Sequence, residues 1–214
     1  MNNTLLIGIL SSLIPLSAAA AIYGEYQPTR RLVYIFKPLT TALIILLALT
    51  GSGNVQPTYK WLIIGGLVLC LAGDVFLMLP ERYFLAGLGS FLAGHWFYIA
   101  AFAASVGLVY SWWLLPLLIY GAVVYTLLHP HLGKMRAPVI AYVLTILLMA
   151  WQALGRWQVL ASVPSLLAAL GALFFVISDS VLALDRFRAK FGSARVIVLT
   201  TYWLAQWLIA YSVH

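Results

Sequence analysis

Long apolar stretches recur along the whole chain and are separated by short polar breaks. Each approaches the roughly 20 residues that a helix needs to cross a bilayer. Eight such stretches span about 4–24, 31–50, 58–79, 84–105, 111–128, 137–154, 163–183 and 195–213. The breaks contain turn formers, as in Tyr26-Gln27-Pro28-Thr29 and Gly51-Ser52-Gly53-Asn54. No stretch alternates like a barrel strand, and backbone groups in lipid must be paired within a helix. The pattern therefore predicts an all-α, polytopic membrane protein, an eight-helix transmembrane bundle in which 1–214 forms one integral membrane domain.

Composition agrees with this interpretation. Of the 214 residues, 64% are hydrophobic and only 8% are charged, and the mean hydropathy is +1.02. Such values are far from those of a soluble domain. The single cysteine, Cys70, cannot form an internal disulfide. Because Met1-Asn2-Asn3-Thr4 carries no positive side chain, we expect the first stretch to be a true helix and not a cleaved signal peptide.

Positive charges sort between the two sides of the predicted bundle. Nine of the 12 basic residues lie in the connections after the first, third, fifth and seventh stretches: Arg30, Arg31, Arg82, Lys134, Arg136, Arg186, Arg188, Lys190 and Arg195. The other side has only Lys60 and Arg156. The positive-inside rule then predicts both termini on the non-cytoplasmic side, of a bacterial inner membrane or, equally by this rule, of an endoplasmic reticulum membrane. We expect the net charge of +7 to face anionic lipid and not nucleic acid.

Tryptophans support the same orientation. We expect a belt of them at the outer membrane boundary, where indole rings are favoured. Its predicted members are Trp61, Trp112, Trp113, Trp151 and Trp157.

Ionisable side chains inside the apolar stretches are the strongest functional signal, because a charge at the bilayer centre costs roughly 2.5–3.5 kcal/mol. Lys37, Asp74 and Asp179 each lie within about one or two helical turns of the predicted cytoplasmic ends. His95 and Gln206 lie deeper in the same half. The spacing predicts one polar chamber that opens toward the cytoplasm.

Several further polar side chains fall in this band, and we expect them to line the chamber with Lys37, His95 and Gln206. They are Tyr98, Tyr120, Tyr142 and Tyr202. Simpler explanations stay open: the aspartates could pair with Arg82 or Arg186, Lys37 could extend to the headgroups, and His95 could be a buried core histidine.

A short internal similarity relates the two aspartates. Gly73-Asp74-Val75-Phe76-Leu77 resembles Ser178-Asp179-Ser180-Val181-Leu182, 105 residues further along. Each aspartate lies in the third helix of a predicted four-helix half. Two parallel four-helix repeats would place both carboxyl groups at one depth across a shared cavity. Duplication and chance similarity are both open at this point.

Other chemistries lack their motifs. One buried histidine without clustered His or Cys ligands is a poor zinc site, so the sequence predicts no metal and no cofactor. No G-x-S-x-G turn, P-loop or dinucleotide-binding glycine pattern occurs.

The ordered set of motifs resembles the YhhN family of membrane proteins, which includes the animal transmembrane lysoplasmalogenases. The matching segments are Lys37-Pro38-Leu39-Thr40-Thr41, Gly73 to Leu77, Phe84 to Leu88, His95-Trp96-Phe97-Tyr98, Ser178-Asp179-Ser180 and Tyr202 to Gln206. The resemblance implies eight helices and a lysophospholipid substrate drawn from the bilayer. It implies hydrolysis of the vinyl ether bond of lysoplasmalogens, giving a fatty aldehyde and glycerophosphoethanolamine or glycerophosphocholine. A different lysolipid or ether substrate stays open for a bacterial member.

The residues suit this chemistry independently. Vinyl ether cleavage needs one protonated acid and one anion, as glycosidases need for their oxocarbenium-like states. We expect Asp74 and Asp179 to be this catalytic pair, with either one as the acid. Lys37 would keep one aspartate ionised or bind the phosphate, while His95 and Tyr98 would orient water or the glycerol hydroxyls.

Two other classes of protein fit part of the pattern. A proton-coupled transporter of small molecules or lipids also uses intramembrane carboxylates and repeats, but it needs access from both sides. A lipid-binding or structural membrane protein would use the polar groups only to join helices. The sequence does not specify the oligomeric state.

Overall fold

The computed structural model describes residues 3–51 and 55–214, which form eight α-helices joined by short connections. The helices are α1 (Asn3–Glu25), α2 (Arg31–Thr50), α3 (Pro57–Met78), α4 (Phe84–Ala104), α5 (Leu114–Leu128), α6 (Arg136–Leu160), α7 (Val163–Ala183) and α8 (Ala194–Tyr211). Short 3₁₀ turns occupy Glu81–Tyr83, His129–His131 and Gly133–Met135, and a π-helical turn, Leu184–Arg188, follows α7. These residues contain no strand, so the all-α prediction is confirmed. Most of the predicted Gly51–Asn54 turn lies outside the described residues.

Seven helical segments are long and apolar enough to cross a membrane, and the chain is a membrane protein. Among the described helices α8 alone falls outside this group. It carries Arg195, Thr200, Thr201 and Gln206 within a single helix. That all eight helices cross, and in which direction, stay predictions.

The end of α6 differs from the sequence prediction. The helix continues to Leu160 and stops where Ala161 takes a left-handed conformation (φ 46°). The predicted stretch 137–154 leaves Arg156 in the following connection; this is wrong, because Arg156 lies inside α6 and is only 5% exposed. Its guanidinium stacks over the Tyr59 ring at 4.3 Å and its Nε donates to Ser105 Oγ. The Tyr59 ring and the Ser105 hydroxyl offset part of the free-energy cost of burying this charge. The sequence next to Arg156 does not indicate these partners.

The predicted start of the fifth helix and the predicted exposure of Trp151 also need correction. The fifth helix begins at Leu114 and not at 111, because residues 112–113 form a turn. Trp151 does not belong to a surface belt: it is 8% exposed and its indole nitrogen donates to Ser111 O. Trp61 and Trp112 are exposed, as a belt requires.

The helix neighbours follow the same order in the two halves of the chain. In the first half α3 packs against α2 and α4, and α2 contacts α8; in the second half α7 packs against α6 and α8, and α6 contacts α4. Arg31 and Arg136, which begin α2 and α6, are 105 residues apart, as are Met78 and Ala183, which end α3 and α7. This is the spacing of the two aspartates. Internal duplication stays a prediction that these observations support.

The two ends of the bundle have different characters. The connections with the nine basic residues meet at one end, called here the basic end, where Tyr26 OH donates to Gly192 O and Arg195 binds Glu25. At the opposite end buried polar side chains pack against one another, among them Tyr59 OH with Ser212 Oγ at 2.6 Å. Polar cavities are therefore expected at the basic end.

Candidate functional site

Asp74 lies near the basic end of α3 and is almost fully buried, with 1% exposure. Thr41 Oγ1 and Tyr202 OH each donate to its Oδ2 at 2.8 Å. Lys37 Nζ lies 3.6 Å from its Oδ1. Lys37 and Thr41 are four residues apart, so one face of α2 presents both a cation and a hydroxyl to the carboxylate. Lys37 therefore pairs with Asp74 and does not extend to the headgroups.

A buried hydrogen-bond network holds Tyr202, one of the two hydroxyl donors to Asp74. Gln206 Nε2 donates to Tyr202 OH at 3.2 Å, and Tyr98 OH donates to Gln206 Oε1 at 2.6 Å. Tyr98 and Gln206 are fully buried. Both were predicted as chamber walls, but neither is among the residues that line the described cavities. Their position suits a network that fixes Tyr202.

Asp179 has different surroundings. Tyr142, from α6, donates a short hydrogen bond to its Oδ2. Asp179 lines a narrow cavity of about 70 Å³ that is bounded mainly by α4, α5, α6 and α7 and whose other walls are mainly aliphatic and aromatic. Among the described residues Asp179 forms no ion pair, and Arg186 instead binds Glu81. The simpler explanation that Arg82 or Arg186 neutralises the aspartates is therefore wrong. We call this space the apolar cavity.

Tyr120 and Tyr142 line the apolar cavity, as predicted for wall residues. Tyr120 OH donates to Ser180 Oγ at 2.9 Å and so joins α5 to α7 beside Asp179. Tyr142 lies 105 residues after Lys37, the same spacing as between the two aspartates. A neutral hydroxyl thus takes, beside Asp179, the place that an ammonium takes beside Asp74.

His95 lies between the surroundings of the two aspartates. It is fully buried, with ring centroids 5.3 Å from Tyr142 and 4.7 Å from Phe175, both edge-on. Phe175 and Phe91 in turn pack edge-on against Tyr202. Within residues 3–51 and 55–214, neither ring nitrogen of His95 has a hydrogen-bond partner. This aromatic group connects the tyrosines that bind the two carboxyl groups, and no hydrogen bond joins the carboxyl groups themselves in this part of the chain.

A second, wider cavity of about 580 Å³ opens at the basic end. We call it the basic vestibule, because five basic side chains line it: Arg30, Lys37, Arg186, Lys190 and Arg195. Two acidic side chains, Glu25 and Asp185, also line it. The basic vestibule and the apolar cavity share the walls formed by Leu77, Phe84, Leu182 and Arg186. A charged space and an apolar space therefore adjoin close to Asp179.

Two residues with important contacts, Thr41 and Glu25, were not identified from the sequence as site residues. Thr41 donates directly to Asp74 and accepts from Trp203 Nε1 at 3.3 Å. Its helical spacing from Lys37 is a signal that could have identified it. Glu25 lies just beyond the first predicted stretch, 4–24, yet it ends α1 and binds both Arg30 and Arg195. Only the folded arrangement brings α1 and α8 together there.

The two aspartates have surroundings that favour different protonation states. Asp74 is held by a cation and two hydroxyl donors, which suits a carboxylate. Asp179 has one neutral donor and an apolar surface, where an unpaired charge is costly. Such a pair can supply one anion and one acid, which is the division of roles that acid-catalysed ether cleavage needs.

Comparison with known proteins identifies the family. The YhhN family profile matches residues 32–213. The uncharacterized membrane protein YhhN of Escherichia coli O6:H1 is 29% identical over 200 residues, covering 93% of this chain and 95% of that protein. Human lysoplasmalogenase TMEM86A is 36% identical over 163 residues, covering 69% and 62%. Mouse lysoplasmalogenase TMEM86B is 34% identical over 179 residues, covering 82% and 72%. No solved structure matches significantly. Because the profile covers most of the chain, including both aspartates, this protein belongs to the YhhN family.

Proposed function

We propose that this protein is a hydrolase that cleaves the vinyl ether bond of lysoplasmalogens. The names of the human and mouse relatives support this class of reaction. The observation that carries the proposal is a carboxyl group, Asp179, in the wall of an apolar cavity that adjoins a basic vestibule. A lysoplasmalogen has one hydrocarbon chain and one phosphate-bearing headgroup, with the vinyl ether between them. The apolar lining of the first space suits the hydrocarbon chain, and the basic side chains of the second suit the headgroup. Asp179 lines the first space, three residues before Leu182 in the wall that both spaces share.

The reaction begins with proton transfer to carbon. The acid's O–H bond breaks as a C–H bond forms at the β-carbon of the vinyl ether, which leaves an oxocarbenium ion. Water adds to the carbon bonded to the ether oxygen and loses a proton, which gives a hemiacetal. The hemiacetal C–O bond then breaks as a proton reaches the glycerol oxygen, and the products are a fatty aldehyde and a glycerophospho-headgroup. The net change is addition of one water molecule.

We assign the acid role to Asp179 and the anion role to Asp74. The Lys37 ammonium, 3.6 Å from Asp74, stabilises the ionised form of that carboxyl group. Asp179 receives one hydrogen bond at Oδ2, from Tyr142. Within the described part of the chain Oδ1 takes part in no hydrogen bond, so this oxygen can carry the proton. Sequence reasoning left the two assignments open, and the different partners favour this one.

His95 is proposed to hold the attacking water. Buried polar atoms normally have a partner, and both ring nitrogens of His95 lack one among the described residues. The ring lies edge-on to Tyr142, which binds Asp179. A water molecule on His95 would therefore lie close to the proposed acid. The Asp74 carboxylate lies beyond the aromatic group and is paired with Lys37, so it would favour the cationic intermediate through the dipole of this ion pair and not through a net charge.

We further propose that the protein lies in a bacterial inner membrane with the basic end in the cytoplasm. The transporter alternative would require a route to the opposite end as well. There Tyr59, Arg156 and Ser212 are buried against one another or their neighbours. This packing favours an enzyme whose site opens at one end only.

Aldehyde release from a lysoplasmalogen in detergent tests the proposal. Asp179→Asn keeps the size of the side chain and removes its acidity, so we expect aldehyde release to fall by about 100-fold or more. Glu81→Gln is the matched control, since it makes the same chemical change at a side chain that is 82% exposed and keeps an oxygen that can accept from Arg186; its rate should stay near the wild-type rate. Both variants should elute as folded protein. A wild-type rate for Asp179→Asn would refute the assignment, and intact lipid after incubation with the wild type would refute the function.

A further inference from the structure

The basic vestibule carries more positive charge than its own acidic groups neutralise. Arg30 and Arg195 share one carboxylate, Glu25, at 3.2 Å and 2.9 Å. Lys190 forms no ion pair with any residue in the described ranges. Lys37 and Arg186, in contrast, pair with Asp74 and Glu81. Cationic side chains that lack a full complement of protein partners are suited to an anionic ligand.

Glu25 holds the two arginines in fixed positions. Its side chain is only 9% exposed, and Arg195 Nη1 contacts both its carboxylate and, at 3.3 Å, its backbone oxygen. Tyr26 OH donates to Gly192 O at 3.0 Å and joins the same two connections. The two guanidinium groups, although more than half exposed, are therefore partly oriented before a ligand arrives, which lowers the entropic cost of binding. We regard Glu25 as a positioning residue.

The chemistry of these side chains selects a phosphate group. Arginine binds phosphate oxygens through a planar fork of N–H donors, and lysine contributes a compact charge. The vestibule shares Leu77, Phe84 and Leu182 with the apolar cavity. A phosphate held in the vestibule would therefore direct the attached hydrocarbon chain across these apolar walls toward Asp179.

We infer that Arg30, Lys190 and Arg195 bind the phosphate of the lipid headgroup, so that the site takes phosphate-bearing lysolipids and excludes neutral single-chain glycerolipids. This inference rests on the proposed function for the identity of the lipid. The binding itself requires no catalysis. It can therefore be measured on a ligand that the enzyme cannot cleave.

The test uses a saturated alkyl ether lysophosphatidylcholine, which lacks the vinyl double bond, and the alkylglycerol of the same chain, which lacks the phosphate. Both are titrated into the wild-type protein in a neutral detergent. We expect the phospholipid to bind about tenfold more tightly, the effect of a net charge-assisted contact. This advantage should decrease as salt is added, because the vestibule is open to water. Equal affinities in the wild type would overturn the inference.

Single variants then locate the phosphate. Lys190→Gln should reduce the phospholipid's advantage about twofold, the share of one side chain in a tenfold effect divided among three, and leave alkylglycerol binding unchanged. Arg30→Gln gives an independent second position if Lys190→Gln folds poorly. Lys134→Gln, a charge change at the same end but outside the vestibule, is the matched control and should keep the full advantage. Retention of the advantage by both vestibule variants would overturn the inference.

Two soluble competitors distinguish a headgroup site from a site for free phosphate. Glycerophosphocholine should displace the alkyl phospholipid more effectively than inorganic phosphate does. Stronger displacement by inorganic phosphate would overturn the lipid assignment. A failure of the proposed function gives a different result: the phosphate preference would persist while the wild type released no aldehyde from a lysoplasmalogen.

Discussion

The ion pair between Lys37 and Asp74 gives the most quantitative prediction. At 3.6 Å and an effective dielectric constant of about 20, the attraction of two unit charges is about 4 to 5 kcal/mol. Removal of one partner of a buried pair typically costs about 3 to 5 kcal/mol, because the other charge stays buried. Lys37→Met should therefore destabilise the fold by about 3 kcal/mol.

Removal of the other partner, by Asp74→Asn, should destabilise the fold less than Lys37→Met does. Asp74→Asn keeps an oxygen that accepts from Thr41 and Tyr202, and Lys37 lines the basic vestibule, where its ammonium can reach water. We expect a loss of about 1 kcal/mol. The double variant Lys37→Met/Asp74→Asn leaves no unpaired charge and should resemble Asp74→Asn alone. The coupling energy between the two positions is then about 3 kcal/mol.

Thermal unfolding in one detergent, followed by tryptophan fluorescence, measures this cycle. For a chain of this size, 1 kcal/mol corresponds to a shift of about 2–4 °C in Tm. Lys37→Met should lower Tm by about 6–12 °C, and the added Asp74→Asn should restore most of that loss. Lys134→Met, an exposed lysine at the same end, controls for the loss of a lysine and should change Tm little. Additive losses in the double variant would refute the ion pair as the main interaction of Lys37.

Three further variants test individual side chains. Tyr142→Phe removes the donor to Asp179, and aldehyde release should fall about tenfold with little change in KM; a normal kcat would contradict this role. Tyr98→Phe removes a buried hydroxyl outside the cavities, so Tm should fall, by an amount corresponding to about 1–2 kcal/mol, while KM stays constant; a raised KM would return Tyr98 to the cavity wall. Gly121→Ala would place a methyl group 2.3 Å from Leu147 Cδ1 and push that side chain into the apolar cavity. Activity on long chains should then decrease relative to short chains, and equal losses on a chain-length series would contradict this.

Most of the helical fold could be predicted because each span is a long apolar run with turn residues at its ends. The prediction failed at the end of α6, which was expected at 154 and lies at Leu160. Arg156 is instead accommodated by the Tyr59 ring of α3. Contacts with other helices determine whether a charged residue such as Arg156 can lie inside a helix, and the local sequence does not indicate these contacts.

The depth of the candidate site could be predicted, but its contacts could not. Counting residues from a helix end places Lys37, Asp74 and Asp179 in one band, because each residue adds about 1.5 Å along the axis. Each residue also turns the helix by about 100°, so side chains at one depth can face different neighbours. The aspartates consequently acquire different partners: Lys37 binds Asp74, whereas Tyr142 binds Asp179. The way the helices pack determines which side chain contacts each aspartate.

Protonation of carbon by Asp179 is the central claim, and hydrolysis in heavy water tests it most directly. Purified protein is incubated with an alkenyl lysophospholipid in heavy water, and both products are analysed by mass spectrometry, with Asp179→Asn as the blank. The account predicts a fatty aldehyde with one deuterium on the carbon next to the carbonyl, together with an intact glycerophospho-headgroup. Unchanged lipid, or an aldehyde without deuterium at that carbon, would contradict it.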